Sequence, residues 1–257
     1  MKTIDKQYGI VAILDALGAS TYGDREIKRF MQSRDIVLSL LTQKSMSMSR
    51  RLSINEVTTF TFNDTVLIVL ESDINQPSAD EIEAFLIILR KFLVDSLVNN
   101  IPFRGAFAVG EFYKDENTNT ILGEAVADAA TWYNKADWLG IISTPRTSVY
   151  IDYLREKHQK SLEHLILNYD VPLSDGRERS LKTVNWPKVF WVAGLTPCQH
   201  GESKRETLLK LLSQYTMPGE TDKKYYNALQ YFDYVMKKQN LKNRTTSQST
   251  RRRIKLV

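Results

Sequence analysis

Two aspartates hold the positions in this sequence from which chemistry is most readily built. Asp15 ends the apolar run Tyr8 to Leu14. Asp64 sits in the pair Asn63-Asp64 between two runs rich in β-branched and aromatic residues, Glu56 to Phe62 and Thr65 to Leu70. Such runs on either side of two polar residues predict a hairpin with Asp64 at its tip. In an antiparallel sheet a strand end and an adjacent hairpin tip can lie side by side, and two carboxylates so placed repel unless a cation sits between them. Divalent ions held about 3.5–4 Å apart by two aspartates are the usual means of activating a hydroxyl and clamping a triphosphate. Gly18, Ala19 and Ser20, which follow Ala16 and Leu17, are small enough to let backbone N–H groups approach phosphate oxygens. Taken singly, an aspartate at a strand end or in a hairpin is an ordinary turn residue; the combination of the two with the topology is what points to metal chemistry.

Other chemistries lack their residues. There is no GxxxxGK[ST], no GxGxxG after the first strand, no GxSxG and no HExxH, which removes the phosphate-loop, dinucleotide, nucleophile-elbow and zinc-protease readings. His158 and His164 are six apart, the wrong spacing for a metal pair on a helix, and with His200 they read as surface or packing residues. The single cysteine, Cys198, excludes an internal disulfide and a cysteine metal cluster, and reads as an inert thiol.

The elements that must position the aspartates follow from periodicity. Helical spacing covers Arg25 to about Lys44, Ser78 to about Asn99 with Ser78 and Glu81 as a capping box, and Glu124 to about Trp138. Strands are expected at Tyr8–Leu14, Glu56–Phe62, Thr65–Leu70, Pro102–Phe112, Thr120–Leu122 and from Ile141. The order β-α-β-β-α-β-β-α-β predicts an α+β fold of the ferredoxin-like class, a mainly antiparallel sheet with helices on one face. Beyond residue 150 the pattern is less regular: helices are expected over Val149–His164, Leu208–Tyr215 and Tyr225–Lys238, and a strand over Ser180–Trp186. The organisation is a domain over 1–150, a C-terminal α/β extension over 151–239, and a tail over 240–257.

The 257 residues are 42% hydrophobic and 25% charged, enough to close a sizeable core. No apolar run approaches the roughly 18 residues of a membrane span, and Met-Lys-Thr-Ile-Asp-Lys-Gln at the start lacks the apolar stretch of a secretion signal. A soluble cytoplasmic protein is expected. The net charge of +5 belongs to the tail: Lys242, Arg244, Arg251, Arg252, Arg253 and Lys255 set aside, 29 basic residues stand against 30 acidic ones. A neutral body with a Ser/Thr/Gln/Arg tail reads as a disordered end, without a stable nucleic-acid or membrane partner.

The pieces in order resemble the class III nucleotidyl cyclases, the catalytic domain of adenylate and guanylate cyclases, over roughly residues 7 to 150. The family's Asp-x-x-Gly-x-Ser/Thr is matched by Asp15-Ala16-Leu17-Gly18-Ala19-Ser20, and its hairpin Gly-Asp by Asn63-Asp64. A strand that begins with Arg and runs to Gly is matched by Arg104 to Gly110, and a helix opening Gly-x-x-Val-Asn-x-Ala-Ala-Arg by Gly123 to Thr131. The resemblance implies that Asp15, Asp64 and the backbone of Ala16 hold two Mg²⁺ or Mn²⁺ ions, that Arg104 pairs with phosphate oxygens, and that residues Ala16 to Ser20 line the triphosphate. It also implies a homodimer, with metal aspartates from one subunit and base or ribose contacts from the other.

The departures narrow the branch. The family's ribose-orienting Asn is Ala127 here and its transition-state Arg is Thr131, with Lys135 the nearby cation. The two purine-reading positions are Thr58 and Thr120, which together match neither the adenine nor the guanine pattern, and Phe60 and Thr61 could crowd the pocket toward a smaller base. Asp170 to Gly176 and Val184-Asn185-Trp186-Pro187-Lys188 look like the stand-alone pyrimidine nucleotide cyclases of bacterial anti-phage (Pycsar) systems. That resemblance implies UTP or CTP as substrate, UTP favoured, and a cyclic product that activates a separate effector. An inactive nucleotide-binding or dimerisation module and a purine cyclase are the alternatives.

Overall fold

The computed structural model describes residues 6–19, 22–115, 117–118, 120–158, 161–190, 203–214 and 222–254, with side chains of the last helix described to residue 240. The elements are β1 (Lys6–Ala16), α1 (Asp24–Leu52), β2 (Thr58–Phe62), β3 (Thr65–Ser72), α2 (Ala79–Val98), β4 (Phe103–Asp115), β5 (Thr120–Leu122), α3 (Glu124–Trp132), β6 (Gly140–Ser143), α4 (Pro145–His158), β7 (Ile166–Pro172), β8 (Glu178–Val184), α5 (Lys204–Ser213) and α6 (Asp222–Ile254). They build one eight-stranded sheet in the order β2-β3-β1-β4-β6-β8-β7, with β5 paired to β4 outside that path. All pairings are antiparallel except β4 with β6. This is the expected α+β class with a mainly antiparallel sheet.

β1 lies at the centre because it is apolar on both sides. Ile10, Ala12 and Leu14 join the core under α1 and α2, while the alternate residues Val11 and Ile13 pack with Phe60, Val69, Ala108, Phe112, Ala125 and Ala129 under α3. The helices therefore divide between two faces, where the sequence suggested one. α6 shares the α3 face. In β8 the Thr183 hydroxyl donates to Tyr231 of α6 at 2.9 Å, whereas its neighbour Lys182 turns the other way to Asp152 of α4 at 2.9 Å; successive strand residues point to opposite faces.

α2 is buried on nearly every side, between the sheet and α1. Its start is fixed by the expected capping box: Ser78 Oγ accepts from the Glu81 amide at 3.2 Å and Glu81 accepts from the Ser78 amide at 2.6 Å. Phe92 packs on Phe103 and Phe85 on Phe107, centroids 5.0 and 6.2 Å apart, which seats the beginning of β4 against the helix. Gly105 is required there. A Cβ would lie 2.3 Å from the Ile13 carbonyl oxygen, so only glycine lets β4 close onto β1 beside the aspartate.

Several boundaries differ from expectation. α1 runs past Lys44 to Leu52, because Met48 is buried and Ser45 and Ser49 bond the following loop, at Val57 N (2.8 Å) and Ile54 O (2.7 Å). α3 stops at Trp132. The chain then leaves to pair Ala136 with Leu173 and to bury Trp138 against Tyr169 and Tyr231. α4 begins at Pro145, whose fixed φ suits a first helical position. β7 carries no clear alternation and is a strand because β8 pairs with it along its whole length. β6, β8 and β7 are hydrogen-bonded into the one sheet, so the two strands after residue 150 extend it. α6 continues to Ile254 and takes in most of the stretch expected as a disordered tail; it holds no Gly or Pro to stop a helix whose first half is packed. Among the described residues no helix is long and apolar enough to cross a membrane.

Candidate active site

The register of β1 sets the site. Asp15 lies opposite Thr65 of β3 on one side and opposite Arg104 of β4 on the other. The β2–β3 turn brings in Asp64: Asn63 takes φ 53°, a left-handed conformation asparagine tolerates, and the Ala16 amide donates to the Asp64 carbonyl at 3.2 Å. The Leu17 amide donates to Pro102 O at 2.8 Å, so the loop after β1 is pinned between the hairpin and the entry to β4. Gly18 then turns the chain with φ 84°. The strand end and hairpin tip are thus neighbours, as the topology predicted.

Electrostatics tie the three residues together. Burial holds the Asp15 carboxyl above its ordinary pKa; Arg104 opposes this, Asp64 adds to it, and Lys224 of α6 also favours the charged form. Arg104 Nε donates to Asp15 Oδ2 at 3.2 Å, and its Nη1 donates to Asn134 O at 3.2 Å. The side chains of Arg104 and Asp15 are 16% and 20% exposed. Arg104, expected on phosphate, is here the counter-ion of Asp15. Both sit on the α3 face by strand parity with Val11 and Ala108.

The remaining expected residues separate. The Ala16 and Leu17 amides are spent within the protein, which leaves them no donor for phosphate, and the start of α1 is acidic, with Asp24 in its first turn and Glu26 accepting from the Gly23 amide at 2.7 Å. Ala19 accepts from the Tyr22 amide at 3.2 Å, and Ser20 lies outside the described residues. Phe60 is 5% exposed and packs in the core under α3. Thr61 alternates onto the opposite face from Phe60. Thr120 is exposed on β5, beside the far end of β4, its hydroxyl bonded to Thr118 O at 3.2 Å. Thr131 donates its hydroxyl to Ala127 O at 2.8 Å, so neither α3 position offers charge or a free donor to a substrate. Lys135, past the end of α3, has its ammonium 4.5 Å from the Trp132 ring centroid. Cys198 and His200 lie outside the described residues.

Among the described residues no three acidic, histidine or cysteine side chains cluster as a metal cage. The acidic groups that meet at the site are the Asp15 and Asp64 carboxylates. Such a hard oxygen set fits Mg²⁺ or Mn²⁺, which commonly binds through one or two carboxylates with substrate phosphates completing its shell. Burial, with Asp64 adding to it, is what raises Asp15, and a bound cation would favour its charged form.

What sequence reasoning missed is a second polar group on the same face. Lys114 of β4 forms an ion pair with Glu71 of β3 and donates to Thr58 Oγ1 at 3.5 Å. Lys114 has the strand parity of Arg104, so alternation along β4 already placed the two on one face.

No protein-family model and no curated protein matches the chain. Solved structures similar to it include the adenylyl cyclase CyaB from P. aeruginosa, at 12% identity and TM-score 0.45, over 70% of this chain and 94% of that one. Others are the guanylyl cyclase Cya2, at 13% and 0.43 over 70% and 91%, and adenylate cyclases from Trypanosoma brucei, at 10% and 0.41 over 72% and 92%. At these identities, and with TM-scores below 0.5, the likeness bears no weight; the fold rests on the strand order and register.

Proposed function

We propose that this chain is a nucleotide cyclase that converts a pyrimidine nucleoside triphosphate, UTP or CTP, into its 3′,5′-cyclic monophosphate and pyrophosphate. The observation that carries the reading is the meeting of Asp15 and Asp64 at one end of the sheet, with the Arg104 guanidinium directly on Asp15. The ribose 3′-oxygen attacks the α-phosphorus as its proton leaves, and the bond to the bridging oxygen of the β-phosphate breaks. Mg²⁺ or Mn²⁺, when bound by Asp15, Asp64 and the Ala16 carbonyl, supplies the positive charge that acidifies the 3′-hydroxyl and offsets the triphosphate. Arg104 is a guanidinium fork suited to phosphate oxygens, and it reaches them by exchanging Asp15 for substrate once another cation balances that carboxylate. The pyrimidine assignment rests on Thr58 and Thr120, which match neither purine pattern, and on the resemblance over residues 170–188.

In this reading the protein acts in the cytoplasm as a homodimer, and its product signals to a separate effector in anti-phage defence. Incubation with Mn²⁺ and each of ATP, GTP, CTP and UTP, with products identified by mass, tests the reaction. A cyclic pyrimidine nucleotide is expected. Cyclic AMP or GMP would retain the mechanism and sink the base assignment.

A second reading has its own observation. With Arg104 closed on Asp15 and Thr131 bonded to its own helix, neither residue offers a cation to a leaving group, a contribution that is usually large. A module that binds nucleotide without turnover would bind Mn²⁺-nucleotide in calorimetry and yield no product.

A further inference from the structure

The first turn of α6 is anchored to the candidate site on two flanks. On one, Asn227 Nδ2 donates to Asp137 O at 2.6 Å and the Lys223 ammonium lies 3.4 Å from the Asp137 carboxylate. Asp137 belongs to the loop 133–139 between α3 and β6, the loop in which Asn134 O accepts from Arg104 at 3.2 Å. On the other flank Tyr225 is buried and lines a cavity with Tyr22, Ile101 and Pro102; Pro102 O is the acceptor of the Leu17 amide after β1. Each residue turns a helix by about 100°, so Lys223 and Asn227 lie about 40° apart, Tyr225 lies roughly opposite them, and Lys224 falls between the two flanks. The other side between those flanks carries Asp222 and Tyr226, both exposed. Lys224 is half-buried and projects inward, between the Asp137 loop and Pro102, where the end of β1 carries Asp15. The Asp15 carboxyl registers its charge: Lys224 favours the ionised form.

We propose that Lys224 is a phosphate-contacting catalytic residue of this site, its ammonium donating to the oxygens of the departing pyrophosphate. The assignment rests on the nucleotide-cyclase reading. In that reaction the 3′-oxygen bonds to the α-phosphorus and the bond to the bridging oxygen of the β-phosphate breaks, its electron pair leaving with pyrophosphate. Negative charge grows on the leaving group, and neither Ala127 nor Thr131, whose hydroxyl is spent on its own helix, meets it. Lys224 stays protonated throughout and moves no proton. An ammonium on a flexible stem is a point charge that follows phosphate oxygens as they separate. The C-terminal extension thereby takes part in the chemistry: α6, fixed by Asn227 and Tyr225, delivers a cation that the helix α3 does not carry.

The test compares the wild type with Lys224→Met, Lys224→Arg and Lys223→Met, the last removing the neighbouring lysine that anchors α6 to Asp137. Removing a group that meets developing charge lowers kcat by about 100-fold or more. Lys224→Met is expected to show that loss with saturating nucleotide and Mn²⁺, at a melting temperature close to that of the wild type. Lys224→Arg is expected to recover most of it, and Lys223→Met to stay near wild type. A Lys224→Met enzyme as fast as the wild type would overturn the proposal. So would a loss that Lys223→Met reproduces and Lys224→Arg does not restore, the mark of a helix anchor. A second measurement needs no turnover: calorimetry of pyrophosphate with Mg²⁺, which Lys224→Met is expected to bind roughly tenfold or more weakly than the wild type does. Equal affinity would overturn the contact. A wild type that makes no cyclic product from any nucleotide, yet binds pyrophosphate through Lys224, would sink the cyclase reading and keep Lys224 as a phosphate contact.

Discussion

Arg104→Met removes the guanidinium that holds Asp15 while keeping an aliphatic stem of similar reach. Losing one partner of a fully buried ion pair costs about 3–5 kcal/mol, and of an exposed pair about 0.2–1 kcal/mol. With side chains 16% and 20% exposed, the Arg104–Asp15 pair lies between these limits. Lys224 remains to favour the Asp15 charge, so a loss of about 2 kcal/mol at neutral pH is expected. The sign of its pH dependence follows from the protonation states. Asp15 titrates above its ordinary value in the fold, first because it is buried. Its protonated form is thus the favoured one, and what it contributes to stability is present at acid pH and lost as pH rises through the raised value. Arg104 interacts favourably with the charged form alone. The Arg104→Met deficit should therefore be small below the Asp15 pKa and reach its full size above it. Urea unfolding of both proteins at a series of pH values from acid to neutral measures this. A deficit of equal size at every pH, or none at neutral pH, would refute the assignment of Arg104 as the counter-ion of Asp15.

Phe60→Ala should destabilise the fold by about 3–5 kcal/mol in the same unfolding assay, since Phe60 is buried among Val11, Val69 and Phe112; a near-neutral effect would contradict that burial. Gly105→Ala should lower the melting temperature measurably and reduce activity together with it, because the added Cβ meets the Ile13 carbonyl at 2.3 Å; a variant indistinguishable from wild type in calorimetry would contradict the close approach of β4 to β1.

Much of the site was legible before the structure because it depends on local pattern. The apolar run ending at Asp15, the turn at Asn63-Asp64 and the Ser78–Glu81 cap each announce themselves within a few residues. Their neighbourhood follows once β1 pairs with β3. What was illegible depends on which strand lies on the other side of β1 and in which register. That register sets Arg104 against Asp15 instead of toward solvent, and it leaves Lys114 of β4 and Glu71 of β3 on one face, where they form an ion pair. The burial of Phe60 was illegible for a related reason. Its face is decided by the parity it shares with Thr58 on β2, and that side is core where α3 covers it. α3 itself ended early because Trp138 gains more by stacking on Tyr169, 5.6 Å away, than by extending a helix.

The central claim is that Asp15 and Asp64 form a metal-dependent cyclising site for a pyrimidine nucleotide. The most direct measurement is the mass of the product formed from each nucleoside triphosphate with Mn²⁺, with wild type and Asp64→Asn side by side. The prediction is a cyclic pyrimidine monophosphate with stoichiometric pyrophosphate from the wild type, reduced at least about 100-fold in a variant that remains folded. A wild type that makes no cyclic product, or an Asp64→Asn variant as active as wild type, would contradict it.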